Sequence, residues 1–228
     1  MRIESRNINV EGNTFVSSEW LIPEDFEGGA ALLIAHGAGN DMHSPFIRYI
    51  HSSVAERGLL AVRFNFPYKE RGGKVPDPAS RLIKTWRAVV CAVAEDEELS
   101  TSGIFLSGKS LGGRMASMFV ADGGSADGLI FFGYPLHPAG KPEKLRSVHF
   151  STIDRPALFL QGTRDPLCDL ALLRREIIDK SPGNRALHII DGADHSFRVL
   201  KKFNRSEQSV YGEIVDTTVN WICGALPS

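Results

Sequence analysis

The clearest chemical signal in the sequence is the segment Gly108-Lys109-Ser110-Leu111-Gly112, a G-x-S-x-G pattern. It directly follows an apolar run and directly precedes a segment with helical spacing, which places the serine on a strand-to-helix turn. The two glycines leave room for that turn, since a Cβ there would collide with neighbouring backbone. We therefore predict that Ser110 is a nucleophile and that the N–H of Leu111 stabilises an oxyanion. The alternative is a glycine-rich turn with an incidental serine.

A second loop of small residues, His36-Gly37-Ala38-Gly39, follows the apolar run at residues 30–35. Small residues let the backbone approach a substrate carbonyl, so the N–H of Ala38 or of a direct neighbour is predicted as the second oxyanion donor. We interpret His36 as a histidine that stabilises this loop rather than as a catalytic base.

An acid and a base are predicted after two later strands. Asp165 follows the apolar run that begins at Ala157, and His195 follows the run at residues 186–190. The order serine, acid, histidine is the order that a nucleophile turn of this kind requires. Ligands also bind at the C-terminal edge of parallel sheets, where all three residues would lie. Turn capping and a surface position are the simpler roles for the acid and the histidine. The rival acids are Asp169, Asp191 and Asp194.

These residue types suit acyl transfer through a covalent intermediate. A serine hydroxyl is a weak nucleophile until a base takes its proton, and an imidazole, with an ordinary pKa of about 6.5, exchanges protons near neutral pH. The carboxylate of Asp165 would fix the imidazole tautomer and stabilise the imidazolium. The predicted mechanism is attack by Ser110, formation of an acyl-enzyme, and hydrolysis by water that His195 activates.

Several other side chains are candidates for the substrate pocket. Lys109 could favour an anionic substrate together with Arg63 or Arg114, although a lysine with a packed stem and a hydrated ammonium is the simpler interpretation. The histidines have no H-x-x-x-H spacing and no acidic companion, so we expect no metal and no other cofactor. The remaining pocket candidates are His36, Gly37, Met42, His43 and His137.

The elements that must position these residues alternate along the chain. Helix starts are predicted at Ser44-Pro45 and Asp77-Pro78, with further helices at 111–121 and about 207–223. Two strands, at 2–10 and 14–22, are predicted to form an edge hairpin. Apolar runs without alternation are typical of strands buried on both faces, and they lie at residues 30–35, 59–64, 103–107, 129–132, 157–160 and 186–190.

This order predicts an α/β fold in a single domain that covers residues 1–228. The expected architecture is a mostly parallel central sheet of about eight strands with helices on both faces. Residues 134–156 show no clear period, so only about 23 residues separate two central strands at the point where a lid could be inserted. We therefore expect a minimal lid.

Composition excludes several classes of partner. The 228 residues include 26 Lys and Arg against 27 Asp and Glu, a formal net charge of −1, which gives no basic face for nucleic acid and no attraction to an anionic membrane. No stretch of about 18 apolar residues could span a bilayer. The first six residues lack a signal-peptide core. The three cysteines, Cys91, Cys168 and Cys223, lack C-x-x-C spacing, so a reducing cytoplasmic setting is expected.

Taken together, the segments HGAGNDMHSPF, LSGKSLGGRMAS, TRDPL and GADHSF resemble the α/β-hydrolase superfamily. Within it they are similar to a branch that is named for a testis-expressed α/β-hydrolase-like protein and is related to dienelactone hydrolases. The resemblance covers roughly residues 30–200. It implies the α/β-hydrolase fold and the triad roles of Ser110, Asp165 and His195, but no particular substrate.

We expect a serine hydrolase that cleaves a small or medium-sized soluble ester or thioester. A minimal lid disfavours a lipase of long-chain triglycerides, and no tandem domain or propeller is expected that would indicate an oligopeptidase. The expected partner is a small-molecule acyl substrate, and the oligomeric state stays open. The alternatives are an acyltransferase with the same triad and a non-catalytic interaction module on a hydrolase fold, since fold alone does not imply function.

Overall fold

The computed structural model describes residues 1–226, and within them eight strands form one sheet. In chain order the strands are β1 (Arg2–Glu11), β2 (Thr14–Ile22), β3 (Gly29–Ala35), β4 (Leu60–Phe64), β5 (Thr101–Lys109), β6 (Gly128–Phe132), β7 (Ala157–Gly162) and β8 (Arg185–Ile190). Their spatial order is β1-β2-β4-β3-β5-β6-β7-β8. The six strands from β4 to β8 are parallel, and β2 runs antiparallel to both of its neighbours. The predicted mostly parallel sheet and its edge hairpin are confirmed.

Helices cover both faces of this sheet. In chain order they are α1 (Pro45–Ala55), α2 (Pro67–Glu70), α3 (Ala79–Ala94), α4 (Leu111–Ala121), α5 (Leu170–Leu173) and α6 (Glu207–Ala225). A π-helical turn at Arg174–Ile178 continues α5, and 3₁₀ turns lie at Val148–Thr152 and Lys201–Phe203. The short elements were not predicted, because four or five residues carry too few periodic positions to be recognised.

The two faces of the sheet form two hydrophobic clusters, and β3 contributes to both. Odd-numbered residues of 31–35 pack with α3 and α4, whereas even-numbered residues of 30–34 pack with α1 and α6. Successive side chains of a strand point to opposite faces, so a strand that is covered on both sides, such as β3, presents apolar side chains to both. This is why the central strands show no alternation in the sequence.

The predicted start of α3 is one residue too early. The helix begins at Ala79 after Pro78, and the carboxylate of Asp77 does not cap it. Instead, Asp77 accepts hydrogen bonds from the guanidinium groups of Arg71 and Arg81. The start of α1 is as predicted, with Pro45 in its first turn, although the Ser44 hydroxyl makes no capping hydrogen bond.

The segment between β6 and β7 packs onto the core and forms no long insertion. Tyr134, Phe150 and Ile153 are almost completely buried, and the Tyr134 ring meets the Phe150 ring edge-on at a centroid distance of 5.3 Å. Because its aromatic residues pack on the core, this segment has few residues that could form a lid. Across residues 1–226, no helix has the length and hydropathy needed to cross a membrane.

Candidate active site

Ser110 stands on a strained turn between β5 and α4. Its φ of 51° and ψ of −110° are unusual for a residue with a side chain, a conformation that costs about 1–3 kcal/mol and persists only where the surroundings impose it. A Cβ on Gly112 would lie 2.6 Å from the carbonyl oxygen of Ala35, and one on Gly108 would overlap the backbone of Gly113. The glycines therefore let β5, β3 and α4 approach closely enough to force this turn.

A continuous chain of hydrogen bonds joins Ser110, His195 and Asp165. The Ser110 Oγ lies 2.9 Å from His195 Nε2, and His195 Nδ1 lies 2.7 Å from Asp165 Oδ2. Because a carboxylate oxygen accepts, the imidazole proton lies on Nδ1, and Nε2 is free to accept from the serine hydroxyl. The Asp165 side chain is completely buried, whereas the imidazole is 23% exposed. The sequence-predicted nucleophile, base and acid thus lie together at the C-terminal edge of the sheet.

Sequence analysis missed Gln161, which holds the buried carboxylate in place. The Gln161 side chain is fully buried; its Nε2 donates to Asp165 Oδ2 at 2.6 Å, and its Oε1 accepts from the Tyr134 N–H at 2.9 Å. The N–H of Leu167 donates to the other carboxylate oxygen of Asp165 at 2.8 Å. The available signal was a polar residue inside the apolar strand β7, four positions before the acid.

The three rival acids serve other parts of the loops. The Asp169 carboxylate caps α5 by accepting from the Leu172 N–H at 2.9 Å. The Asp194 carboxylate accepts from two backbone N–H groups of its own loop, and Asp191 lies 3.3 Å from the Thr163 hydroxyl. Among these four aspartates, Asp165 is the one that contacts the imidazole.

The loop at residues 36–39 lies against the Ser110 turn. A Cβ on Gly37 would lie 3.7 Å from the Ser110 Cβ, an ordinary van der Waals distance, so the loop is in direct contact with the turn. Ala38 follows Gly37 directly, and Leu111 is the first residue of α4, where backbone N–H groups have no partner inside the helix. Both predicted oxyanion donors therefore belong to segments that adjoin the serine, Leu111 directly after it in the chain and Ala38 directly after Gly37.

His36 stabilises this loop from beneath. The ring is completely buried; Nδ1 donates to the Gly37 carbonyl at 2.9 Å, and Nε2 accepts from the Phe66 N–H at 3.1 Å. Burial lowers the pKa of His36 to about 4, so the ring stays neutral and keeps both hydrogen bonds at neutral pH. Its place is beneath the loop and away from the cavity described next.

A cavity of about 210 Å³ lies beside the Ser110 turn. Gly37 and Lys109 form its end near the serine, and Asn40, Arg198 and Glu207 supply polar groups around it. Two of the predicted pocket residues, Gly37 and Lys109, therefore line this cavity. The cavity adjoins the triad through Gly37, Lys109 and Ser196 but is lined by none of the three triad residues, and the same holds for a larger cavity of about 540 Å³ between α3 and α4.

The other predicted pocket residues lie elsewhere. Met42 is buried, and His137 Nε2 accepts from the Asp169 N–H at 3.0 Å. His43 is exposed and borders a separate cavity between α1 and the β2–β4 side of the sheet. Arg63 pairs with Glu19 on that same side and so does not accompany Lys109. Loop histidines and methionines carry no periodic signal, so their direction cannot be read from the sequence.

Lys109 points back toward the base rather than into water. Its ammonium donates a hydrogen bond to the carbonyl oxygen of His195 and lies 5.2 Å from the centre of the Phe197 ring. Burial lowers the pKa of Lys109 to about 8, although the carboxylates of Asp165 and Asp194 oppose this shift. The hydrated lysine expected from the sequence is therefore not observed.

Comparison with known proteins places these features in a family. A family model described as "Alpha/beta hydrolase domain" matches residues 28–223. Similar solved structures include a dienelactone hydrolase from Anabaena variabilis, with 18% identity, a TM-score of 0.76 and 99% of both chains covered. An alpha-beta serine hydrolase homologue from Coxiella burnetii has 18% identity and a TM-score of 0.72, covering 95% of this chain and 96% of that one.

A third similar structure, an α/β serine hydrolase without a lid from Xanthomonas campestris, has 19% identity and a TM-score of 0.71, with 99% of this chain and 96% of that chain covered. At such identities the likeness concerns the fold alone. The fold predicted from the motifs is confirmed, whereas the narrower resemblance to the testis-expressed branch stays a prediction.

Proposed function

The chain belongs to the α/β-hydrolase family, and from this premise we propose that it is a serine hydrolase of small or medium-sized soluble esters or thioesters. The observation that carries the proposal is the unbroken hydrogen-bonded chain from Ser110 through His195 to Asp165. In the proposal Ser110 is the nucleophile, His195 is the general base and acid, and Asp165 orients the imidazole and stabilises its cation.

The proposed reaction has two halves. The Ser110 Oγ attacks the acyl carbon while its proton passes to His195 Nε2, and the resulting oxyanion accepts from the N–H groups of Leu111 and Ala38. The leaving alcohol or thiol takes the proton from Nε2, which leaves an acyl-enzyme. A water molecule then gives a proton to the same nitrogen and attacks the acyl carbon. The serine oxygen leaves with the proton from Nε2, which releases the acid and restores the free serine.

The size of the cavity supports a small acyl group. Sites for drug-sized ligands measure about 300–1,000 Å³, and the cavity beside Ser110 has about 210 Å³. The short segment between β6 and β7 packs onto the core, which also disfavours long lipid chains.

The free thiols of Cys91, Cys168 and Cys223 support the proposal of a reducing cytoplasmic setting.

Labelling with a fluorophosphonate tests whether the serine is activated. We expect one adduct, located at Ser110 by mass spectrometry, and its loss in Ser110→Ala. The matched control is Ser102→Ala, an exposed serine at the other end of β5, which should label at the wild-type rate. Folded protein that neither labels nor hydrolyses short esters would contradict the proposal and favour the interaction module.

Asp165→Asn tests the acid. We expect kcat for a short p-nitrophenyl ester to fall by about 10⁴, because an amide favours the wrong imidazole tautomer, whereas Ser110→Ala should cost about 10⁶. Asp169→Asn is the matched control, since an amide oxygen can still cap α5. Full activity in Asp165→Asn would reject the assignment of the acid.

Product analysis with an added alcohol acceptor separates the hydrolase from the acyltransferase.

A further inference from the structure

Lys109 connects the residue before the nucleophile to the residue that carries the base. Its backbone is bonded directly to Ser110, and its ammonium donates to the carbonyl oxygen of His195. Within residues 1–226, no other donor to that carbonyl is found. The contact joins two positions 86 residues apart in the chain, so it fixes the two loops relative to each other without involving the hydroxyl or the ring.

We propose that Lys109 is a positioning residue, whose ammonium holds the His195 loop at the distance from Ser110 that proton transfer requires. The inference rests on the proposed serine hydrolase function and adds a role that the triad itself does not contain. It differs from the substrate-binding role considered for this lysine from the sequence.

The loop that carries His195 is hydrogen-bonded within itself and to the loop after β7, and Lys109 adds a contact from β5. Between β8 and α6 it has one isolated backbone bridge, from Ala193 to Val199, and Phe197 adopts a φ of 62°, which is unfavourable for a bulky residue. The Phe197 ring stacks on the Phe46 ring at a centroid distance of 5.4 Å. The Lys109 ammonium lies 5.2 Å from the centre of the Phe197 ring. A cation near an aromatic ring is stabilised by the ring quadrupole, so the ammonium holds the loop at two adjacent points.

Gly133, directly after β6, leaves space for the Lys109 ammonium. A Cβ on Gly133 would lie 3.0 Å from Lys109 Nζ, 3.5 Å from the His195 carbonyl oxygen and 3.6 Å from Asp165 Oδ2. The absence of a side chain at the end of β6 therefore lets these three groups meet. The carboxylates that face the ammonium are those of Asp165, after β7, and Asp194, after β8.

This environment gives the contact a dependence on pH. The pKa of Lys109 is lowered to about 8 by burial, so the ammonium is present below that pH and is lost above it. A neutral amine donates a weaker hydrogen bond and loses its attraction to Asp165 and Asp194. We therefore expect the labelling rate of the wild-type protein to fall as the pH rises through about 8.

Lys109→Met and Lys109→Arg test the proposal with a neutral short ester and with the fluorophosphonate. Misplacement of reacting groups by about 1 Å can cost about 100-fold, so we expect Lys109→Met to lower kcat by about 10- to 100-fold, with KM within about twofold. The fall near pH 8 should disappear in Lys109→Met. Lys109→Arg keeps its charge at every accessible pH, so it should lack the same fall while retaining more activity than Lys109→Met.

Stability separates positioning from a purely structural role. Because burial disfavours the charged ammonium, Lys109→Met should have a Tm at pH 7 equal to or above that of the wild type, despite its lower kcat. The matched control is Lys180→Met, a surface lysine paired with Glu176, whose kcat and pH profile should stay at wild-type values. If Lys109→Met does not fold, Lys109→Gln takes its place, since the shorter amide cannot reach the His195 carbonyl, and a wild-type kcat in that variant would overturn the proposal.

Two further outcomes overturn it. Wild-type kcat and an unchanged pH profile in Lys109→Met would remove the positioning role. A rise in KM for an anionic ester, with kcat for the neutral ester unchanged, would make the lysine a substrate contact. Failure of the wild-type protein to label or hydrolyse any ester would instead reject the serine hydrolase function, which is distinguishable because it does not depend on the variant.

Discussion

Asp165 illustrates how single residues make the proposed chemistry feasible. Removing a carboxylate from water is costly unless hydrogen bonds replace the lost hydration, and three donors do so here, namely His195 Nδ1, Gln161 Nε2 and the Leu167 N–H. Gln161 is fixed in turn by the Tyr134 N–H. The carboxylate is therefore held in one orientation beside the imidazole.

Gln161→Met tests this support with little change in side-chain volume. A hydrogen bond to a charged group contributes about 1.5–3 kcal/mol, so we expect the fluorophosphonate labelling rate to fall by about 10- to 100-fold. The measurement is the initial rate of labelling at Ser110, with Tm recorded for each protein. Gln208→Met, on the exposed side of α6, is the control and should label normally. A wild-type rate in Gln161→Met would show that Asp165 is held sufficiently by its other donors.

The sequence reveals residue types and their order, but not where long side chains end. Ser110, Asp165 and His195 were predicted because each follows an apolar strand in the order that a triad needs. The contact of Lys109 with the His195 carbonyl could not be predicted, since it depends on the space left by Gly133. The role of Gln161 could not be predicted either, because it depends on the amide reaching the Asp165 carboxylate four positions later in the chain.

At the scale of elements, the strands were predictable because the parallel sheet is covered on both faces. The central strands β3 and β6 are then uninterrupted apolar runs, and the observed ends of β3, β6 and β8 lie within one residue of the predicted ends. The start of α3 was misplaced because aspartate is a common helix cap, whereas the carboxylate of Asp77 instead pairs with two arginines. The brief helices α2 and α5 have no amphipathic period to recognise.

The packing of α4 against the sheet predicts opposite effects for one substitution in two helices. A Cβ on Gly112 would lie 2.6 Å and 2.7 Å from the carbonyl oxygens of Ala35 and His36. Gly112→Ala should therefore displace either α4 or the 36–39 loop. In α6, the nearest atom to a Cβ on Gly212 is the Tyr49 hydroxyl oxygen at 3.9 Å, so the added methyl group meets no obstacle there.

We expect Gly212→Ala to raise the free energy of unfolding by about 1 kcal/mol, since alanine has the higher helix propensity. Gly112→Ala should lower the free energy of unfolding and abolish labelling of Ser110. Urea denaturation at pH 7 measures the free energy of unfolding of both variants, and fluorophosphonate measures the labelling of Ser110. A Gly112→Ala protein that labels at the wild-type rate would show that the contact between α4 and β3 does not shape the nucleophile turn.

At the scale of the whole molecule, three histidines in separate regions respond to acid in the same direction. Burial lowers the pKa of His36, His51 and His149 to about 4 in each case. They lie after β3, in α1 and in the 3₁₀ turn beside α4. An unfolded chain exposes all three imidazoles, whose ordinary pKa is about 6.5. Between about pH 6.5 and pH 4 the unfolded state therefore binds more protons than the folded state.

Stability should consequently fall as the pH is lowered through this window. Three such groups give a slope of at most about 4 kcal/mol per pH unit, and urea denaturation at pH 7, 6 and 5 measures it while exposed carboxylates are still ionised. His51→Gln should reduce the slope by about one proton, because an amide can still donate to the Glu19 and Ala61 carbonyls that His51 Nε2 contacts at 3.1 Å. Gln208→Met, an exposed change without a titratable group, is the control and should leave the slope unaltered. A free energy of unfolding that stays constant from pH 7 to pH 5 would mean that these rings accept protons in the folded protein.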